Sequence, residues 1–200
     1  MNVGVFGGTF DPIHFGHLTA AQAMRSALDF AKIFFVPAGQ PWLKIGLPIS
    51  AARHRLDMLR LAVSGERYLG ISTVEVDRTG PSYAVDTIDI LQRELGSEAK
   101  LSFLLGSDAL LDLPRWKDPS RLIQICQLVA FSRPGFAVPS LDGLEAAIAG
   151  ISRHITFVEV PQIDISASEI RRLVALGASI GHLVPQAVEM YIIKNGLYRS

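Results

Sequence analysis

The sequence has little cysteine and no excess of charge of either sign. A single cysteine, Cys126, occurs in 200 residues, so neither an intramolecular disulfide nor a cysteine-ligated zinc site can form. The 19 basic side chains balance the 19 acidic ones, which argues against nonspecific binding to nucleic acid or to a membrane surface. No apolar run approaches a membrane span, and the first residues lack the features of a signal peptide. The lack of a signal peptide and of a membrane span predicts a cytoplasmic protein. A lone cysteine of this kind is expected to be a core thiol.

What is present is a regular alternation of strand and helix patterns. Apolar side chains make up 49% of the residues, enough for one domain with a large core. Strands are expected at 3–6, 33–36, 69–76, 101–105, 127–131 and 155–160. Helices are expected at 19–31, 51–63 with Ser50 as N-cap, 83–95, 119–125, 141–149, 167–176 and 185–195. This order predicts an α/β fold, a Rossmann-like doubly wound parallel sheet with helices on both faces, in a single domain 1–200 with a C-terminal helical portion from about residue 166.

The first candidate site is the stretch at residues 7–17, GGTFDPIHFGH, between the first strand and the first helix. Gly7 and Gly8 are expected to break the strand and to allow close approach of the backbone to a ligand. His14 and His17 can donate hydrogen bonds and can protonate as negative charge builds up on a phosphate. A metal pair or ordinary surface histidines are the alternatives, although only one carboxylate is close in sequence for a metal. The pattern as a whole favours a strand–loop–helix phosphate site.

The second candidate site is the stretch at residues 165–172, ISASEIRR. Ser166 and Glu169 have the spacing of a capping box, and a well-capped helix would explain the pattern by itself. Two hydroxyls, the free N–H groups of the helix and Arg171 also make an anion site. The two interpretations are compatible, because the cap fixes the helix end that an anion would use.

Three further residues follow predicted strand ends, where α/β sheets bind ligands. Lys44 lies in a loop rich in proline and glycine, and it is either a solubilising side chain or a cation that closes over a polyphosphate. Trp116 is either a core residue or a platform that stacks on a flat heterocycle. Asp108 either accepts hydrogen bonds from ribose hydroxyls or holds Mg²⁺, or else it caps the short helix after it.

The candidate groups are almost all hydrogen-bond donors or cations. There is no Walker phosphate loop, no G-x-G-x-x-G fingerprint, and no evident Ser–His–Asp set or pair of carboxylates. This selection suits phosphoryl or nucleotidyl transfer, in which catalysis is mostly positioning and charge stabilisation. A phosphate nucleophile is already anionic near neutral pH and needs no general base. The expected chemistry is in-line attack on the α-phosphorus of a nucleoside triphosphate, with pyrophosphate leaving.

Motifs along nearly the whole chain resemble one enzyme family. Residues 7–17 resemble the signature of the nucleotidyltransferases with an H-x-G-H motif, and residues 165–171 resemble their C-terminal I-S-x-[ST]-x-I-R motif. Five other segments narrow the resemblance: 80–87 GPSYAVDT, 104–108 LLGSD, 113–116 LPRW, 132–135 SRPG and 195–199 NGLYR. Together these segments are similar to the bacterial nicotinate-nucleotide adenylyltransferases of NAD biosynthesis.

The resemblance implies an activity and a set of roles. AMP would pass from ATP to nicotinate mononucleotide, giving nicotinate adenine dinucleotide and pyrophosphate, with Mg²⁺ bound mainly through the ATP phosphates and no protein metal site. The catalytic residues would be His14, His17, Lys44 and Arg171. The ATP-binding residues would be Gly7, Gly8, Thr9, Phe10, His14, His17, Gly106, Asp108, Ile165, Ser166, Ser168 and Arg171. The mononucleotide-binding residues would be Thr9, Lys44, Tyr83, Ala84, Trp116, Lys117 and Arg133. The implied partners are these two substrates alone, without nucleic acid or membrane, in a monomer or small homo-oligomer.

Two departures from the family pattern and two rival functions bear on this interpretation. The second loop, 41–44, lacks a histidine that the family often has, and Ala84 stands where the family often has threonine. A backbone N–H contact at position 84 would survive that change.

One rival is a sibling adenylyltransferase acting on nicotinamide mononucleotide or phosphopantetheine, which the middle segments disfavour. The other is a nucleotide sensor without catalysis, which would be expected to lose His14, His17 or Arg171.

Overall fold

Six parallel strands form one sheet. They are β1 (Asn2–Gly8), β2 (Lys32–Pro37), β3 (Leu69–Ile71), β4 (Lys100–Gly106), β5 (Gln127–Phe131) and β6 (Ile155–Val158). Their spatial order is β3-β2-β1-β4-β5-β6, and every neighbouring pair is parallel. The computed structural model describes residues 1–44, 46, 48–132, 140–161 and 164–199. The predicted doubly wound parallel sheet is confirmed.

Eight α-helices connect and flank the strands in the described part of the chain. They are α1 (Phe15–Leu28), α2 (Ala52–Val63), α3 (Val74–Asp77), α4 (Ala84–Leu95), α5 (Pro119–Ile125), α6 (Leu141–Ala147), α7 (Ala167–Ala175) and α8 (Gln186–Lys194). Short 3₁₀ helices span Trp42–Lys44, Ser107–Arg115 and Ile151–Arg153. None of the helices in these ranges has the length and apolar character needed to cross a membrane.

The core consists of two hydrophobic clusters, one on each face of the sheet. Side chains alternate between the faces along each strand, so Leu104 belongs to one cluster while Phe103 and Leu105 belong to the other. The Leu104 face is covered by α1, α2, α7 and α8, and the opposite face by α4, α5 and α6. Cys126 is buried in the second cluster, and burial raises the pKa of its thiol to about 12. The expected core thiol is therefore confirmed.

The chain reverses its direction of travel across the sheet between β1 and β4. It moves outward from β1 to β2 and β3, and then crosses back to pair β4 with the other edge of β1. The loops after β1 and β4 consequently diverge to opposite faces and leave a crevice beyond the strand ends. Phe6 pairs with Leu104, so Gly8 and Gly106 end their strands side by side at this crevice.

Several local predictions differ from the structure. The strand expected at 69–76 ends at Ile71, and the helix α3 follows it. Ser50 does not cap α2, because the helix begins one residue later with Ala51 at the N-cap and no side-chain hydrogen bond there. Gly7 and Gly8 do not break β1, since both remain paired with β2. The first helix begins at Phe15, four residues before the expected start at 19.

Candidate active site

A cavity of about 490 Å³ opens beyond the carboxyl ends of β1 and β4. It brings together residues from separate parts of the chain that sequence patterns had selected: Gly7, Gly8, Thr9, Phe10, His14, His17, Tyr83, Ala84, Gly106, Asp108, Trp116, Lys117, Ser166, Ser168 and Arg171. Ile165 does not line the cavity, and it lies beside Gly16 on the core side. The Lys44 side chain and Arg133 lie outside the described part of the chain.

His14 and His17 form one stacked unit in the wall of the cavity. Their ring centroids are 3.7 Å apart with an interplanar angle of 29°. The intervening Gly16 makes this possible, because a Cβ there would lie 3.0 Å from Nδ1 of His14. Phe10 meets the His17 ring edge-on at 5.0 Å, which fixes its orientation further. The H-x-G-H spacing therefore serves to place two imidazoles against each other at the start of α1.

Metal binding by the histidine pair receives no support from the described residues. Within 1–44, 48–132, 140–161 and 164–199, no group of three or more His, Cys, Asp or Glu side chains is arranged to hold a metal ion. Asp11, the carboxylate nearest in sequence, is instead engaged by the hydroxyl of Tyr198 at 2.6 Å and by the backbone N–H of Ser50 at 2.9 Å.

The N-terminus of α7 supplies another part of the cavity wall. The Ser166 hydroxyl accepts a hydrogen bond from the Glu169 backbone N–H at 3.2 Å, so the expected N-cap is confirmed. The Glu169 carboxylate does not complete the capping box, because it binds Arg172 at 2.7 and 2.8 Å. Ser166 and Ser168 both face the cavity beside the positive end of the helix dipole.

Arg171 joins the two candidate anion sites. Its guanidinium donates to the backbone carbonyl of Asp11 at 2.7 Å and to the Ser168 hydroxyl at 3.2 Å. The first contact reaches the loop before the histidines, and the second stays at the start of α7. One cation thus holds the two segments in a fixed relation at the cavity.

The segment after β4 contributes Gly106 and Asp108. Gly106 occupies the N-cap position of the 3₁₀ helix. Asp108 is therefore not the N-cap residue of this helix, and it lines the cavity. Between them, Ser107 is buried, and its hydroxyl has no hydrogen-bond partner among the described residues.

The far end of the cavity is aromatic. Trp116 is half-buried and meets Phe103 edge-on, with ring centroids 5.7 Å apart. Its indole Nε1 is buried and has no hydrogen-bond partner among the residues that the structure describes. Tyr83 occupies the N-cap position of α4, and its side chain makes no cap hydrogen bond. Since Tyr83 and Ala84 both line the cavity, the first turn of α4, whose backbone N–H groups have no partner within the helix, starts there.

Lys117 lies at the rim of this aromatic end. Its ammonium group binds both carboxylate oxygens of Asp86, at 2.9 and 3.0 Å, and lies 4.9 Å from the centroid of the Tyr83 ring. Arg78 binds the same carboxylate at 2.9 Å. The cations lower the pKa of Asp86 despite the opposing effect of desolvation. Lys117 is therefore an ion-paired side chain with a defined position.

Glu75 is a cavity residue that sequence reasoning missed. It is 6% exposed, and its carboxyl accepts a hydrogen bond from the Thr87 hydroxyl at 2.5 Å. Burial raises the pKa of Glu75, although hydrogen bonds from Thr87 and Ser82 oppose that shift. The sequence pattern predicted a strand over 69–76, and nothing in that pattern indicated that the carboxyl group of residue 75 is buried at the cavity. The helix α3 turns it inward.

Comparisons with known proteins identify the family of this chain. The sequence model of the cytidylyltransferase-like family matches residues 5–173. A protein of Thermomicrobium roseum named probable nicotinate-nucleotide adenylyltransferase is 46% identical over 99% of this chain and 92% of its own length. A protein of the same name from Dehalococcoides mccartyi is 41% identical over 99% of this chain and 97% of its own length.

A solved structure shares the fold. The nicotinic acid mononucleotide adenylyltransferase of Plasmodium falciparum, complexed with NaAD, superposes with a TM-score of 0.78 at 19% identity, over 98% of this chain and 97% of the other. The likeness extends over the full sheet and the helices on both of its faces. Sequence identity, family match and fold together show that this chain belongs to the nicotinate-nucleotide adenylyltransferases, within the cytidylyltransferase-like family.

Proposed function

We propose that this enzyme transfers AMP from ATP to nicotinate mononucleotide. A phosphate oxygen of the mononucleotide attacks the α-phosphorus of ATP and forms the new P–O bond. The bond from the α-phosphorus to the bridging oxygen breaks, and pyrophosphate leaves with that electron pair. Since the attacking oxygen is already anionic near neutral pH, the step requires no general base from the protein. The products are nicotinate adenine dinucleotide and pyrophosphate.

The observation that carries this proposal is the meeting of two anion-binding segments at one cavity. The stacked pair His14 and His17 and the capped N-terminus of α7 both line the cavity, with Arg171 bonded to the Asp11 loop and to Ser168. A triphosphate carries charge along its length, so it matches two adjoining donor groups better than one.

The proposed catalytic roles follow from this placement. His17 and His14 donate to phosphate oxygens on which negative charge increases in the transition state. Ser166, Ser168 and the first N–H groups of α7 bind the leaving pyrophosphate. We assign Lys44 to the same phosphates on the family resemblance alone.

The proposed substrate-binding roles extend to both ends of the cavity. We assign Gly106 and Asp108, which line the cavity after β4, to the riboses of the two nucleotides. At the aromatic end, Trp116 stacks on the pyridine ring. The backbone N–H groups after Tyr83 receive the nicotinate carboxylate, since an amide would turn its NH₂ group toward those donors unproductively.

We also propose that ATP enters as its Mg²⁺ complex. The carboxylates that line the cavity, Asp11, Glu75 and Asp108, are not grouped to hold a metal ion within the described residues. Asp11 and Glu75 are each engaged by neighbouring hydroxyls. Among the described residues these carboxylates therefore form no site that fits a resident ion, and no step is assigned to the metal.

A pyrophosphate-release assay tests the proposed function. ATP is combined in turn with nicotinate mononucleotide, nicotinamide mononucleotide and phosphopantetheine, and kcat/KM is measured for each acceptor. We expect the acid mononucleotide to give the highest value and phosphopantetheine to give none above background. A higher value for the amide would reassign the enzyme to the sibling activity, and ATP binding without pyrophosphate release would make it a sensor.

A substitution at Ser166 separates its capping role from a phosphate-binding role. Aspartate is as good an N-cap as serine, so Ser166→Asp should keep the free energy of unfolding within about 0.5 kcal/mol of the wild type. Its negative charge should repel the triphosphate and raise KM for ATP at least about tenfold, or about 1.4 kcal/mol. Urea denaturation and steady-state kinetics measure the two effects.

Ser166→Ala provides the matched comparison. It removes the cap without adding charge, and it should lower the free energy of unfolding by about 1 kcal/mol. If Ser166→Asp leaves KM for ATP unchanged, the start of α7 is a capped helix end only, and its assignment to the triphosphate is wrong.

A further inference from the structure

The loop before the two histidines is held by a buried carboxylate. Asp11 is 3% exposed, and each of its oxygens accepts one hydrogen bond. The donors are the backbone N–H of Ser50, at 2.9 Å, and the hydroxyl of Tyr198, at 2.6 Å. A buried carboxylate is stable only when such partners are present, so the position of this loop depends on both of them.

A buried arginine supports the same loop from α2. Arg55 is 2% exposed, and it donates to the backbone carbonyl of Thr9 at 2.9 Å and to that of Ser50 at 3.0 Å. Burial lowers the pKa of its guanidinium, and the negative charge of Asp11 opposes this shift. The loop is thus attached to α2 by Arg55 and to α7 by Arg171, in addition to its contact with Tyr198.

Tyr198 reaches this loop from the end of the chain. Its backbone has φ of 63°, a left-handed conformation that costs a non-glycine residue about 1 kcal/mol or more and is retained where surrounding contacts require it. Its ring packs against the same hydrophobic cluster as α1 and α8. Burial and the charge of Asp11 raise the pKa of Tyr198, so its hydroxyl stays protonated and donates.

We propose that Tyr198 is a positioning residue for the phosphate-binding loop. Its hydroxyl orients Asp11, which fixes the backbone of residues 9–12 and thereby the placement of His14 and His17 against the phosphates. This inference rests on the proposed function. Small displacements of catalytic groups reduce the rate strongly, up to about 10²-fold for 1 Å. Loss of this one hydrogen bond should therefore affect the chemical step more than substrate binding.

Tyr198→Phe tests the proposal, because it removes the hydroxyl and retains the ring and the backbone conformation. We expect kcat to fall about tenfold while KM for ATP stays within about twofold. Tyr191→Phe is the matched control. Tyr191 is also half-buried, its hydroxyl donates to Asp57 at 3.0 Å, and it does not line the cavity. We expect a similar change in Tm for both variants and kcat within about twofold of the wild type for Tyr191→Phe.

Two results would overturn the positioning role. One is a Tyr198→Phe enzyme with unchanged kcat, and the other is an equal loss of kcat in Tyr191→Phe, which would indicate a general effect on stability.

Hydrogen exchange provides a readout independent of activity. Peptides covering residues 9–14 should exchange faster in Tyr198→Phe and not in Tyr191→Phe, and equal exchange would also refute the proposal. If the wild type releases no pyrophosphate, the proposed function fails while the exchange comparison still tests the role of Tyr198.

Discussion

His17→Ala is expected to lower kcat by about 10² to 10³-fold and to change KM for ATP by less than about threefold. The imidazole of His17 stands at the cavity wall in a fixed orientation, stacked on His14 and held edge-on by Phe10. A donor fixed in advance interacts more strongly with an oxygen as negative charge develops on it. The substitution therefore raises the energy of the transition state more than that of bound ATP. Steady-state pyrophosphate release at saturating substrates measures the effect.

His54→Ala is the control for this experiment. His54 also contacts an aromatic side chain, Tyr191, by a hydrogen bond of 2.9 Å, and it lies outside the cavity. Its loss should leave kcat within about twofold, and urea denaturation should show both variants folded at the assay temperature. His17→Gln retains an N–H donor and should recover part of the lost rate. Unchanged kcat in His17→Ala would remove His17 from the chemistry.

Trp116→Ala is expected to raise KM for nicotinate mononucleotide about tenfold to a hundredfold and to leave KM for ATP within about twofold. Stacking of a base on an aromatic side chain contributes about 1–3 kcal/mol, and each 1.4 kcal/mol corresponds to a factor of ten. The edge-on contact with Phe103 fixes the Trp116 ring in the lining of the cavity. Titration of each substrate at saturation of the other separates the two constants.

Trp116→Phe is the matched variant for stacking. It retains a flat aromatic face and fills more of the space than alanine, so its KM for the mononucleotide should lie closer to the wild type. Equal increases in both KM values for Trp116→Ala would mean that the cavity as a whole has collapsed. That result would refute the assignment of Trp116 to the pyridine ring.

The alternation of strands and helices was predictable because it depends on local patterns. Runs of apolar residues between breakers predicted the bounds of β2 and β5 to within one residue. The predicted bounds of α5 match the observed ones, with Pro119 as its first residue. The cap at Ser166 was also predictable, since the hydroxyl and the N–H that it accepts from are three residues apart. In each case the interacting groups are close in sequence.

The failures occur where a distant contact overrides a local preference. Ser50 is a good N-cap by type, but its backbone is bonded to Asp11 and Arg55, and α2 begins beyond it. The stretch 69–76 has a strand pattern, but β3 pairs with β2 over only three residues. The chain then turns into α3, in which Glu75 bonds to Thr87. Asp11 is 39 residues from Ser50, and Thr87 is 12 residues from Glu75, so no local pattern reports these contacts.

For this protein, the sequence by itself determined the fold class and the family, and it predicted two phosphate-binding motifs. It could do so because hydrophobic periodicity, helix caps and H-x-G-H spacing each depend on residues a few positions apart. Only the tertiary structure decided how the motifs meet. Arg171 joins α7 to the loop at Asp11, and Tyr198 reaches that loop from 187 residues away. Such contacts depend on packing of the two sheet faces, which brings distant segments together at the ends of β1 and β4.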